Sequence, residues 1–152
     1  MIKINVIVKD KTWFKFIKNP ETYLKKKIKI IQRDNFFRKK KYNFSVLLSG
    51  TKEIKYLNKK FKKKNKTTDI LSFPSQNKKD LKKLFKSNLE IYLGDIIINL
   101  KKINNSSKKL FKKRFDVLWI HGLIHLFGYD HKIDSNYKKM SAIEKKLLNK
   151  LN

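Results

Sequence analysis

The segment His121-Gly122-Leu123-Ile124-His125-Leu126-Phe127-Gly128-Tyr129-Asp130-His131 contains all three histidines of the chain. On an α-helix, residues four apart are rotated by only about 40°, so His121 and His125 present two imidazoles on one face. Gly128 predicts the helix end, because glycine accepts the left-handed conformation that commonly follows a helix C-terminus. Tyr129-Asp130 then lets the chain double back, so that His131 approaches from a third direction. Two histidines at helical spacing are often ordinary surface or core residues. The third changes the reading: Leu123, Ile124, Leu126 and Phe127 already supply the apolar packing, and packing alone does not call for a histidine after the turn. Three imidazoles with an open fourth position form the ligand set of a catalytic zinc. A structural zinc closed by Asp130 or Asp134 is the alternative, and the absence of cysteine weighs against it.

Upstream of the histidines, Phe111, Phe115, Leu118 and Trp119 continue the helical pattern. Ser107 is placed to cap this helix, and Asn104-Asn105-Ser106-Ser107 reads as a break before it. Apolar residues on nearly all sides after Phe115 predict a buried, central helix with the histidines at its end. Strands are predicted at Ile2 to Val8, Tyr42 to Leu48, Asp69 to Phe73 and Glu90 to Asn99, where β-branched and aromatic residues concentrate. Asn19 caps a first helix with Pro20 in its first turn and Tyr23, Leu24, Ile28 and Ile31 at helical spacing. Thr51 caps a second, in which Ile54, Leu57, Asn58 and Phe61 share one side. Lys62 to Thr68 reads as a basic loop, and Pro74 to Asn88 as a connector of little periodicity. A last helix from about Ser135 carries Tyr137, Met140, Ile143, Leu147, Leu148 and Leu151 on one face, as core or as a cover for the site. The order βαβα, then strand, strand, helix, helix, predicts a single small α/β domain over residues 1–152.

Composition narrows the function classes. With no cysteine there is no disulfide framework, no thiolate metal site and no cysteine nucleophile. The longest apolar stretches, Ile96 to Ile98 and Val117 to Ile120, fall far short of the roughly 20 residues that span a bilayer, and the N-terminus reads as a strand, so a soluble cytoplasmic protein without a membrane partner is expected. The net charge is +28, from 40 basic and 12 acidic residues. Such a surface attracts polyanions. All but three of the basic residues, Arg33, Arg38 and Arg114, are lysine, and there is one alanine, Ala142, which is also what AT-biased coding produces. Lysine runs such as Lys25-Lys26-Lys27 therefore read as solvated faces.

The chemistry follows from what accompanies the histidines. Zinc peptidases carry His-Glu-x-x-His, in which the glutamate is the general base. Here that position is Gly122, and the nearest acids in sequence are Asp116, Asp130 and Asp134. A phosphodiester is the more economical substrate, because the ion can polarise a phosphoryl oxygen while neighbouring lysines offset the developing charge.

The histidine segment resembles the H-G-x-x-H-L-x-G-Y-D-H motif of the YbeY family, bacterial metal-dependent endoribonucleases of ribosomal RNA maturation. Leu57-Asn58 followed by Thr68-Asp69-Ile70-Leu71-Ser72-Phe73-Pro74 is similar to the family's L-N…T-D-V-L-S-F-P, Leu93-Gly94-Asp95-Ile96 to its L-G-D-I, and Met140 and Glu144 agree with its tail. The resemblance extends from about residue 46 to residue 148. It implies an α/β (α+β) fold with a four-stranded mixed sheet and about five helices. It also implies one zinc ion held by His121, His125 and His131, and hydrolysis of single-stranded RNA. The expected substrate is the small-subunit ribosomal RNA precursor, cut in maturation of its 3′ end and in ribosome quality control, with the ribosome or its proteins as possible partners. The family's arginine between the two blocks is not matched. Lys62 aligns there as the catalytic cation, keeping the charge but losing the planar fork that grips phosphate in two places. Thr67 stands where the family has proline, which predicts a looser loop. Asp95 and Asp130 are candidates to support the histidines. The competing reading is a non-catalytic RNA- or ribosome-binding factor in which the metal only holds the fold.

Overall fold

In a computed structural model, which describes residues 1–103 and 106–152, four strands form one sheet: β1 (Ile2–Val8), β2 (Tyr42–Ser49), β3 (Ile70–Pro74) and β4 (Ile91–Asn99). Their spatial order is β1-β2-β4-β3, with β1, β2 and β4 parallel and β3 antiparallel to β4, so the sheet is mixed and β3 is an edge. Five α-helices accompany it: α1 (Pro20–Ile31), α2 (Thr51–Lys62), α3 (Lys78–Leu84), α4 (Lys108–Leu126) and α5 (Asp134–Leu151). The expected α/β domain with a mixed sheet is what forms.

Alternation along the strands explains the layers. In β2, Phe44, Val46 and Leu48 point into the main core, while Leu47 points to the other face; in β4, Ile96 and Ile98 divide from Ile97 in the same way. The larger core takes Leu24 and Ile28 of α1, Phe111, Phe115 and Leu118 of α4, and Met140 and Leu147 of α5. Among the described residues the opposite face holds only α2, through Ile54 packed with Leu71 and Ile97. Each such fully buried aliphatic side chain contributes roughly 1.5–3 kcal/mol, so α4 is much the more firmly seated helix.

The caps at Asn19 and Ser107 form as expected, with side chains accepting from Thr22 and Leu110 N–H. Asn104 and Asn105 of the predicted break lie outside the described residues. Three expectations need correction. Thr51 is the first helical residue and Gly50 the cap, because the Thr51 hydroxyl is turned to Asn99. The connector after Pro74 contains α3, capped by Asn77, whose seven residues bury only Leu81 and so leave almost no periodic trace. Of the expected α5 face only Tyr137 is exposed; Met140 and Leu147 are buried, and Ile143, Leu148 and Leu151 pack partly buried against the core.

Candidate metal centre

Gly122 explains how α4 reaches the sheet. A Cβ there would stand 2.9 Å from both Ile70 Cδ1 and Ile96 Cγ2, so the glycine marks the closest approach of helix to strands. Position 122 thus faces the sheet, and the glutamate of a peptidase has no room. His121 and His125 look instead toward a cleft of about 670 Å³, walled by β3, the end of α2 with its following loop, and the turn after α4. At that turn Gly128 takes φ 81°, the left-handed conformation expected of it, and brings His131 in. Ring centroids are 4.5 Å apart for His121 and His125, 5.7 Å for His121 and His131, and 5.2 Å for His125 and His131. One nitrogen from each lies within 4.8 Å of the others, and no carboxylate joins this group among the described residues.

Hydrogen bonding fixes which nitrogens are offered. His125 Nδ1 is 2.8 Å from the Tyr129 carbonyl, which can only accept, so Nδ1 carries the proton. His121 Nδ1 meets the Glu144 carboxylate in the same sense. Both Nε2 atoms therefore bear lone pairs, yet they face each other at 2.9 Å. Two acceptors at that distance repel unless a cation lies between them and the third imidazole. Burial, then the neighbouring His121, holds His125 below the usual imidazole pKa, so it is neutral near pH 7 with its lone pair available. Three converging imidazoles fit a first-row divalent ion such as zinc.

The other expected residues divide. Lys62 lines the cleft, as do Asn58, Lys64, Lys66 and Lys132, with its Nζ 5.3 Å from the centre of the Phe73 ring. The loop before β3 is braced, not loosened: Asn58 Nδ2 donates to Lys66 O at 2.8 Å, and Asn99 Nδ2 to Thr67 Oγ1 at 3.1 Å and Thr68 O at 3.2 Å. Neither acid considered as support for the histidines bonds to one. Asp95 accepts from the Tyr92 hydroxyl at 2.6 Å and lines a separate cavity under α2. Asp130 holds the turn through Lys132 N–H, which also keeps its carboxyl below the usual range. Asp116 is committed to Tyr23, Trp119 and Lys27. Glu144, which does touch His121, was marked in the sequence only by its agreement with the family's tail, with no role attached.

The family model described as Endoribonuclease YbeY matches residues 7–152. Proteins named Endoribonuclease YbeY from Pelagibacter ubique and Ehrlichia canis are similar to the chain. The first is 43% identical over 92% of this chain and 90% of its own length, the second 36% identical over 99% and 93%. A solution structure of TM1509 from Thermotoga maritima is 26% identical, with a TM-score of 0.47, over 99% of this chain and 88% of that one. From the extent of the family match and the identity to these relatives, the chain belongs to the YbeY endoribonuclease family.

Proposed function

We propose that residues 1–152 work as one zinc-dependent endoribonuclease domain that hydrolyses phosphodiester bonds of single-stranded RNA in the cytoplasm. Its proposed task is maturation of the 3′ end of small-subunit ribosomal RNA and ribosome quality control. The observation that carries this reading is the convergence of lone-pair nitrogens from His121, His125 and His131 in a cleft rimmed by Lys62, Lys64, Lys66 and Lys132. The family's name supplies the RNA; the ribosomal substrate rests on the sequence resemblance.

His121, His125 and His131 would hold the zinc, which would supply Lewis acidity for phosphodiester hydrolysis. The remaining work falls to the chain. The lysine rim draws the strand in and offsets its charge. Lys62, the rim residue aligned with the family's arginine, neutralises charge developing on the phosphate. The Tyr129 carbonyl and the Glu144 carboxylate keep two imidazoles from swinging out of the site. The cleft runs beside β3, an edge of the sheet among the described residues, which suits a flexible single strand.

Cleavage of single-stranded and duplex RNA by wild-type and His125→Ala protein, with the metal content of each measured, tests the reading. Wild type is expected to hold zinc and cut single strands, and the variant to do neither. Equal cutting by the variant would assign the activity to a contaminant. A wild type that holds zinc, binds RNA and cuts nothing would make the chain a binding factor with a structural metal.

A further inference from the structure

Each histidine that α4 contributes has its Nδ1 bonded, but the partners differ in charge. His125 rests on a neutral backbone carbonyl and His121 on the carboxylate of Glu144. Among the described residues no other carboxylate is bonded to any of the three histidines. Glu144 is not placed to be a fourth ligand, because it meets Nδ1, on the far side of the ring from the Nε2 that faces His125. The same position keeps it from serving as a general base toward a substrate in the cleft, whose lining does not include it.

Its seat is rigid. Glu144 lies on α5 between Met140 and Leu147, which are 2% and 0% exposed, one helical turn to either side. Its own side chain is 24% exposed, so solvent screens the contact only in part. Further along the helix, Lys146 and Lys150 are tied to the buried Asp34 at 2.9 and 3.4 Å. A carboxylate delivered by a packed and doubly anchored helix holds its ring more firmly than one on a loop.

We propose that Glu144 is a positioning residue for the metal centre, an inference that rests on reading the three histidines as metal ligands. Its carboxylate holds His121 in the tautomer with the proton on Nδ1 and directs the Nε2 lone pair into the site. It also sets one negative charge behind a ligand in a cleft rimmed by lysines that repel a divalent cation. Helix α5 is thereby part of the site.

Two measurements on Glu144→Ala and Glu144→Gln test this. Zinc affinity is read by competition with a chromophoric chelator, and the His121 tautomer by long-range nitrogen–proton NMR on metal-free protein at pH 8. The alanine variant is expected to bind zinc about 10–100-fold more weakly. The glutamine variant should fall between, because its amide oxygen still accepts from Nδ1 without the charge. The proton is expected on Nδ1 of His121 in wild type and distributed over both nitrogens in Glu144→Ala. A merely structural role for Glu144 predicts no such graded response and no tautomer change. Zinc bound as tightly by Glu144→Ala as by wild type, or a wild-type His121 protonated on Nε2, would overturn the inference and leave the metal reading standing. A wild type that binds no zinc would overturn the metal reading, and this inference with it.

Discussion

On the sequence resemblance, Lys62 stands where the family's motif has an arginine, and the proposed chemistry turns on that difference. A lysine at the lip of the cleft keeps the positive charge, but it is a compact point charge on a flexible stem, here drawn over the Phe73 ring. An arginine at the same place presents a planar fork able to hold two phosphate oxygens at once. Lys62→Arg is therefore expected to raise kcat/KM for single-stranded RNA severalfold. Lys62→Ala should lower it about tenfold, less than a lone phosphate-binding cation would cost, since Lys64 and Lys66 remain. Steady-state cleavage of one oligonucleotide by the three proteins decides it. Equal rates would remove Lys62 from the catalytic machinery and return its charge to compositional drift.

At the scale of elements, what could be read in the sequence was what repeats with a period. The strands were legible because β-branched and aromatic residues concentrate in them. The central helix was legible because its apolar face is nearly continuous and ends at Gly128. By contrast α3, short and rich in lysine, was invisible, and the contact between Glu144 and His121 depends on how α5 folds back on α4, which no local pattern encodes. The anchor of α5 is equally non-local. Asp34, 5% exposed, receives Phe36 N–H and the ammonium groups of Lys146 and Lys150. Burial pushes its carboxyl up, but the Phe36 N–H and the two lysines outweigh burial and hold it below the usual carboxylate range. Its folded-state pKa thus lies under the unfolded value of about 3.9. The stabilisation is present above that value and is lost as pH falls through the folded pKa. Asp34→Asn, which keeps an acceptor for Phe36 N–H, is expected to cost about 1–2 kcal/mol at pH 7. In urea melts the gap from wild type should close as pH drops below about 4. A gap independent of pH would mean that the lysines contribute nothing to holding α5.

For the whole molecule, the question is how much of a charge of +28 belongs to RNA recognition. Distance and screening separate the two contributions. Lys64 and Lys66 line the cleft, whereas Lys26 and Lys29 stand exposed on α1 and do not. At about 0.15 M salt a charge is screened beyond roughly 8 Å, so only lysines that meet a bound phosphate should register; at about 0.01 M that range grows to roughly 30 Å and the whole surface acts. In the His125→Ala background, where no cleavage disturbs the measurement, Lys64→Gln with Lys66→Gln is expected to weaken single-strand binding about tenfold at 0.15 M salt. Lys26→Gln with Lys29→Gln should change it by less than about twofold, and both pairs should weaken binding at low salt. Each phosphate contact removed should also flatten the salt dependence by about 0.7 in logarithmic slope for a single strand. Equal losses for the two pairs at 0.15 M would mean that RNA is held by the molecule's overall charge and not by its cleft. The histidines would then have to find their phosphodiester by chance encounter on a uniformly attractive surface.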